Sequence, residues 1–227
     1  MAPLRPPSRI TPALKRLLPR EVKVRRLPTG IGRGLRLEID FRHQTQLYLG
    51  LYEIELNRHL RRLCRPGYAS FDVGGAHGYD ALVLAKLSGA RVVSFERESR
   101  LVEEIGRSLA ANPSVAPLVS VRQATVGART DQAAGTLSLD DAAEELGLWP
   151  QFVKVDIEGA EADALAGAER ILERRPNLLV ETHGPEPERR CMEQLIARGY
   201  SPVLVNRRSW LPEHRPLEHN RWIVAQG

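Results

Sequence analysis

Residues 69–89 read ASFDVGGAHGYDALVLAKLSG, and this stretch decides the fold. A β-rich run ends at Val73, three glycines follow within five residues, and an apolar segment with helical spacing begins at Tyr79. A strand, a glycine-rich turn and a helix in this order mark the place where an open α/β sheet binds a nucleotide-like ligand. The stretch therefore predicts a Rossmann-like sheet with a cofactor at the turn.

Segments with β and helical patterns alternate along the rest of the chain. The β-rich segments are residues 69–73, 91–96, 118–124, 152–157 and 177–182, and the helix-like segments are residues 79–89, 99–112, 139–147, 160–175 and 187–199. Strict alternation predicts a mostly parallel sheet with helices on both faces. Two further β-rich segments, 200–206 and 221–226, have no helical pattern between them, so they must pair antiparallel. We predict an α/β, Rossmann-like class I methyltransferase fold, with a mostly parallel seven-stranded sheet, an antiparallel edge hairpin and a small N-terminal extension.

The positive charge of the chain is concentrated near its start. Residues 1–34 hold nine basic residues against one acidic residue, so they carry +8, the whole chain +5 and the remainder −3. We predict a basic, proline-rich extension with a strand pair over residues 1–46 and a methyltransferase domain over residues 47–227. Nucleic acid is not the expected partner, because the body is acidic and only 5% of residues are aromatic. Contact of the amphipathic segment 10–18 with an anionic membrane surface stays open.

Two cysteines, Cys64 and Cys191, are too few for a disulfide framework or a cysteine-based zinc site. They predict reduced thiols in a cytoplasmic protein. No apolar run approaches the roughly 20 residues that span a bilayer, and the first residues lack the apolar core of a secretory signal. No transmembrane segment is therefore expected.

The spacing of the glycines indicates which cofactor the turn binds. A dinucleotide fingerprint needs glycines at relative positions one, three and six. Whether the count starts at Gly74 or at Gly75, positions three and six hold residues other than glycine. A phosphate-binding Gly-Lys-Ser/Thr loop is also absent, and Asp72 beside the turn would repel a pyrophosphate. S-adenosylmethionine (SAM) carries an ammonium and a sulfonium group and no phosphate, so we predict SAM as the cofactor.

An acidic residue ends the second predicted strand, eighteen residues after Gly78. Glu96 at this place can accept hydrogen bonds from both ribose hydroxyls of a nucleoside. Taken alone, the residue is as readily explained as a solvated surface acid. Together with the glycine turn it predicts a nucleoside site.

A second group of polar residues follows the strands 152–157 and 177–182. Asp156 lies at the end of the first strand and Glu158 follows it, while Glu181 and His183 lie at the end of the second. Because the carboxyl ends of adjacent parallel strands meet at one crevice, these side chains are expected to face one substrate. His183 is the candidate general base, since its ordinary pKa is roughly 6.5. Asp163 is interpreted instead as a first-turn acid that favours a helix dipole, whereas for Glu161 both this interpretation and a place among the acids of the site stay open.

Four segments together resemble the FkbM family of SAM-dependent methyltransferases. They are LYLGLYEIEL (47–56), PGYASFDVGGAHGY (66–79), FVKVDIEGAEADALAGAERIL (152–172) and PNLLVETHG (176–184). The resemblance implies a Rossmann-like fold, SAM as methyl donor, and O-methylation of a hydroxyl on a sugar, glycan or natural product.

The resemblance also implies roles for single residues. It places the methionine end of SAM at Asp72, Gly74, Gly75 and Gly78, the ribose at Glu96, the adenine beside Gln123, the methyl group near Asp156, and a closing element at Tyr52 and Glu53. Two positions depart from the family pattern. Gly75-Ala76 stands where the family loop has Ala-Asn, and the neighbouring His77 is expected to compensate for the lost asparagine amide. Arg97 stands where the family has proline, and stacks on adenine or points into water.

The resulting mechanism uses His183 to remove a hydroxyl proton, while Asp156 or Glu181 orients the base or the substrate. In a second form, Asp156 and Glu181 bind a divalent metal such as magnesium. Methylation of nucleic acid or protein, and a non-catalytic SAM-binding scaffold, remain the alternatives. Acceptor specificity is expected from the N-terminal extension, from residues 127–140 and from the loop SWLPEHRPLEHNR (209–221). The sequence pattern predicts no oligomeric state.

Overall fold

In a computed structural model of the protein, residues 19, 21–208 and 221–227 are described. The chain divides into two compact units, with the boundary between Tyr52 and Glu53. The predicted membrane-contact segment 10–18 lies outside the described residues, and so does the predicted specificity loop apart from Arg221.

The first unit contains a small antiparallel sheet. Its strands are β1 (Lys23–Arg26) and β2 (Arg36–Ile39), and a short helix, α1 (Thr45–Tyr48), follows them. Leu37 and Ile39 are buried while the residues between and before them are not, the alternation expected of a strand with one covered face. The strand pair lies in the segment where the sequence predicts one.

The second unit contains the remaining elements. Its strands are β3 (Ser70–Val73), β4 (Val92–Glu96), β5 (Val119–Gln123), β6 (Thr125–Val126), β7 (Thr136–Leu137), β8 (Phe152–Val155), β9 (Asn177–Thr182), β10 (Val203–Val205) and β11 (Arg221–Ala225). Its α-helices are α2 (Asn57–Leu63), α3 (Tyr79–Ser88), α4 (Ser99–Ala110), α5 (Leu139–Leu146), α6 (Glu161–Ala166), α7 (Glu169–Glu173) and α8 (Pro185–Ala197). Short 3₁₀ helices span Ile54–Leu56 and Ala116–Leu118.

Seven of these strands form one sheet in the order β10-β11-β9-β8-β3-β4-β5. The strands from β9 to β5 are parallel, and β11 is antiparallel to both of its neighbours. The chain runs from β3 to β5 on one side of the sheet and from β8 to β9 on the other, and because crossovers between parallel strands are as a rule right-handed, this topology puts helices on both faces. The predicted class I methyltransferase sheet is therefore confirmed, and the hairpin joins the sheet through β11, its second strand.

The central strands form the core and position the site. Every residue of β3, β8 and β9 is buried, as expected of parallel strands covered on both faces. The chain runs from β3 to β4 on one side and later reaches β8 on the other, so the carboxyl ends of β3 and β8 border the switch point. Open α/β sheets bind their ligands at this point.

The helix predicted over residues 160–175 is wrong in one respect, because it is broken in the middle. Helix α6 ends at Ala166 and α7 begins at Glu169. A Cβ atom at Gly167 would lie 2.2 Å from the backbone oxygen of Gly127. A backbone approach this close needs glycine, and the helical pattern on either side of it gave no sign of the contact.

Both cysteines are free and buried. Burial raises the pKa of the Cys64 thiol to about 11 and that of the Cys191 thiol to about 12, so neither is a reactive thiolate. Within the described ranges, no helix combines the length and the apolar character needed to cross a membrane.

Candidate active site

The glycine turn lies directly against two neighbouring strands. The amides of Gly74 and Gly75 both donate to the carbonyl oxygen of Phe95, at 2.9 and 3.0 Å. A Cβ atom would lie 1.9 Å from the backbone oxygen of Asp156 at Gly74, and 2.3 Å from Ser94 Oγ at Gly75. Gly74 therefore requires glycine, whereas a larger residue at Gly75 would have to displace the side chains of Ser94 and Ile105. The turn after β3 touches the backbone that follows β8.

Glu96 holds the turn in shape from the end of β4. Its Oε2 accepts the amide of Ala76 at 2.9 Å, and its Oε1 accepts the amide of Glu98 at 2.9 Å. Ala76 has a φ of +43°, a conformation that is unfavourable for alanine and that this bond helps to fix. Each carboxylate oxygen keeps a second lone pair, so Glu96 still fits the ribose role that the sequence predicts.

Asp72 is completely buried beneath the turn. Its Oδ2 accepts a hydrogen bond from Ser94 Oγ at 2.8 Å, whereas its Oδ1 has no hydrogen-bond partner among the described residues. Burial raises the pKa of Asp72 to about 7, although the nearby Lys154 charge opposes the rise. An acidic group with an unused acceptor under a glycine turn fits a ligand that carries cationic groups, as SAM does.

The other predicted cofactor residues are more exposed. His77 is exposed, and its Nδ1 lies 2.7 Å from Glu104 Oε2. Arg97 is also exposed, and its backbone oxygen accepts from Gln123 Nε2 at 3.4 Å. Tyr52 is half-buried at the end of the first unit.

A buried lysine links two of the acids in the site. Lys154 is 1% exposed, and its Nζ lies 3.0 Å from Asp80 Oδ2 and 3.1 Å from Asp156 Oδ2. The sequence analysis assigned a role to neither Lys154 nor Asp80. One signal was present, since a lysine within the apolar run FVKV must either be exposed or have a buried acidic partner.

Glu53 belongs to the same cluster. It is 4% exposed and has a φ of +44°, which is strained for a residue other than glycine. Burial and the charge of Glu181 raise its pKa well above the usual range, and Lys154 acts in the opposite direction. A strained, buried carboxylate of this kind is typical of functional sites, and the place of Glu53 beside the cofactor stays a prediction.

His183 is surrounded by three carboxylates. Its Nδ1 lies 2.5 Å from Glu161 Oε1, and its Nε2 lies 3.7 Å from Asp156 Oδ1 and 3.8 Å from Glu181 Oε1. Burial disfavours the imidazolium, but the Glu161 hydrogen bond and the charges of Glu181 and Asp156 outweigh it and raise the pKa of His183. Glu158 is exposed and does not join this group.

The structure decides the setting of Glu161, which the sequence leaves open. Glu161 is fully buried, whereas Asp163 is a half-buried acid that pairs with Arg190 at 2.9 Å, as expected of a first-turn residue. Helical spacing places the two side chains on different faces, but it does not show which face meets His183.

Three of these side chains also have the chemistry of a cation site. Asp156, Glu181 and His183 each bring one ligand atom within 4.8 Å of the others. Two carboxylates and an imidazole suit a divalent ion that is completed by substrate or water.

The fit of the glycine turn can be tested with a matched pair of substitutions. We expect Gly74→Ala to lower the free energy of unfolding by about 1–3 kcal/mol more than Gly89→Ala, because the new methyl group meets the Asp156 oxygen. Both glycines have positive φ, +96° and +61°, but no atom lies within 4 Å of a Cβ at Gly89. Urea unfolding of both variants measures the difference, and equal losses would contradict the close approach.

Comparisons with known proteins agree with this arrangement. Residues 122–215 match the model of the methyltransferase FkbM domain. A solved structure of methyltransferase FkbM from Methylobacillus flagellatus KT has a TM-score of 0.58 and 20% identity, over 70% of this chain and 43% of that one. The tRNA (uracil-54, C5)-methyltransferase of Pyrococcus abyssi, in complex with S-adenosyl-L-homocysteine, has a TM-score of 0.60 and 17% identity, over 91% of this chain and 44% of that one. No curated protein matches the chain.

A third solved structure matches this chain over most of its own length. The precorrin-6y C5,15-methyltransferase of Geobacter metallireducens GS-15 has a TM-score of 0.53 and 17% identity, over 77% of this chain and 89% of that one. The structural comparisons confirm the Rossmann-like methyltransferase fold, and the domain match confirms the predicted resemblance to the FkbM family.

Proposed function

We propose that this chain, which resembles the FkbM methyltransferases over residues 122–215, transfers a methyl group from SAM to a hydroxyl of a sugar, glycan or natural product. One observation carries the proposal: the glycine turn packs against the backbone of Asp156, whose side chain lies beside His183. A cofactor turn and a candidate base therefore share one edge of the sheet.

The residues at the turn are proposed to hold SAM. Asp72, Gly74, Gly75 and Gly78 would hold the methionine end, Glu96 would hold the ribose and Gln123 would lie near the adenine, with His77, Arg97 and Glu53 around them. When bound, SAM supplies a methyl group on a positively charged sulfur, which leaves as a neutral thioether. The surplus of buried carboxylates over Lys154 and His183 favours a cationic ligand at this place.

His183 is proposed as the general base. Its Nε2 accepts the proton of the acceptor hydroxyl, and the carboxylates of Asp156 and Glu181, within 4 Å, stabilise the imidazolium that forms. Asp156 and Glu181 also orient the acceptor. The fold holds His183, Asp156 and Glu181 in fixed positions. Orientation of the acceptor hydroxyl by these side chains therefore accounts for much of the expected rate enhancement.

A second form of the mechanism follows from the donor set at the same place. Asp156, Glu181 and His183 would hold a divalent cation, which lowers the pKa of a bound hydroxyl. The base form and the metal form make opposite predictions for activity in the presence of a chelator.

Calorimetric titration of the full chain with SAM and, separately, with NAD tests the cofactor. We expect SAM to bind and NAD not to bind, and the reverse result would overturn the proposal. Transfer of radiolabelled methyl groups from SAM to hydroxylated sugars and natural products then tests the acceptor class, with RNA and protein as parallel arms. Each reaction is run with EDTA and with added magnesium. If SAM binds but no methyl group is transferred to any of these acceptors, the result would favour a non-catalytic SAM-binding scaffold.

A further inference from the structure

The hydrogen bond at Nδ1 determines which nitrogen of His183 carries the proton. Glu161 Oε1 accepts the amide of Gly159 at 3.2 Å and lies 2.5 Å from His183 Nδ1. An ionised carboxylate only accepts hydrogen bonds, so with Glu161 ionised Nδ1 is the donor in this pair. The remaining nitrogen, Nε2, is beyond hydrogen-bond length from Asp156 and Glu181, at 3.7 and 3.8 Å.

We propose that Glu161 is the positioning residue of the site, and that it fixes His183 with Nδ1 protonated and Nε2 directed at the acceptor. The inference rests on the proposed function for the identity of the acceptor. Glu161 is not itself expected to touch a substrate.

Burial and backbone geometry support this role. Glu161 is fully buried, and the His183 side chain is 6% exposed, so little water competes for their hydrogen bond. Glu161 is the first residue of α6 and follows the turn at Gly159, whose φ of +83° favours glycine. A buried carboxylate is costly unless it is hydrogen-bonded, and the bonds to Gly159 and His183 both go to Oε1, whereas Oε2 has no hydrogen-bond partner among the described residues.

Asp163, on the same helix, shows that the helix dipole does not account for the burial of Glu161 and its contact with His183. Asp163 also lies in the first turn of α6, where any acid favours the helix dipole. Its side chain is 49% exposed and pairs with Arg190. Asp163 is therefore a matched control, because it shares the helix turn and the charge but not the contact with His183.

The first test reads the tautomer and needs no enzymatic activity. Nitrogen NMR of the full chain labelled at histidine, with the His183 signals identified by their loss in His183→Gln, reports which ring nitrogen is protonated. We expect Nδ1 to be protonated in the wild type, in Asp163→Asn and in Glu161→Gln, which keeps an oxygen acceptor. We expect a loss of this preference in Glu161→Leu. A wild-type ring protonated at Nε2 alone overturns the proposal, even if Glu161→Leu fails to fold.

The second test reads the consequence for methyl transfer. Glu161→Leu should lower kcat by about 10- to 100-fold, the effect of removing a carboxylate partner from a functional histidine in metal sites, with little change in KM. Glu161→Gln should recover part of the loss, and Asp163→Asn should match the wild type. If the wild type transfers no methyl group, the proposed function fails. The NMR measurement of the His183 tautomer then still tests the role of Glu161. An active enzyme with unchanged kcat in Glu161→Leu overturns that role.

Discussion

His183→Gln is expected to lower kcat for methyl transfer by about 10²–10⁴-fold, the usual contribution of a positioned general base. The His183 side chain is 6% exposed and lies between Glu161 on one side and Asp156 and Glu181 on the other. Glutamine has a similar length and can keep one hydrogen bond to Glu161, but it cannot take a proton at neutral pH. SAM affinity should change little, because the proposed cofactor residues lie at the glycine turn.

The control for this prediction is His59→Gln on α2. His59 faces Arg58 and Arg62, whose charges add to the effect of burial in lowering its pKa, and neither arginine belongs to the site. Its replacement should leave kcat and SAM affinity unchanged. Single-turnover rates and calorimetry on the same preparations separate the chemical step from binding. A His183→Gln enzyme that keeps its wild-type single-turnover rate would remove His183 from the mechanism.

Features that follow from local pattern could be predicted from the sequence. The alternation of apolar strands and amphipathic helices predicts a parallel sheet, because each strand must be covered on both faces. The turn after β3 follows from its glycines, since backbone contacts as close as that of Gly74 with Asp156 admit no side chain. The meeting of Asp156, Glu181 and His183 follows from the topology, because parallel strands end at one edge.

Pairings between residues distant in sequence could not be predicted in the same way. Asp80 and Lys154 belong to different βα units, and only the sheet order brings them to 3.0 Å. The spacing of Glu161 and Asp163 is equally consistent with two exposed acids, and the packing of α6 beside His183 decides which one is buried. Glu96 is a third case, since no pattern in the sequence reveals that its carboxylate accepts two backbone amides.

Lys154→Met is expected to lower the free energy of unfolding by about 3–5 kcal/mol at neutral pH, the cost of removing one partner from a buried ion pair. Lys154 is 1% exposed and is the buried cation that faces Asp80 and Asp156 directly. Methionine fills a similar volume, so the loss of charge and not a cavity should dominate. Lys86→Met, on the exposed side of α3, is the control and should change stability by no more than about 0.5 kcal/mol.

The pH dependence of this loss distinguishes charge from packing. Asp72 has a pKa of about 7 in the folded chain, above its unfolded value of about 3.9, so folding takes up a proton there. Its contribution to stability is complete below the unfolded pKa and is lost as the pH rises through the folded pKa. Without the opposing Lys154 charge, the pKa of Asp72 rises further and more stability is lost at high pH. The difference between wild type and Lys154→Met should therefore be larger at pH 8 than at pH 5.

A double variant completes the argument about Lys154. Asp80→Asn removes one of the carboxylates that Lys154 neutralises while it keeps a hydrogen-bonding side chain of the same size. If uncompensated buried charge is the cause, Lys154→Met combined with Asp80→Asn should be more stable than Lys154→Met alone. Urea unfolding at pH 5 and pH 8 measures all three variants. A loss that is independent of pH and additive in the double variant would mean that Lys154 stabilises the chain through packing of its methylene groups.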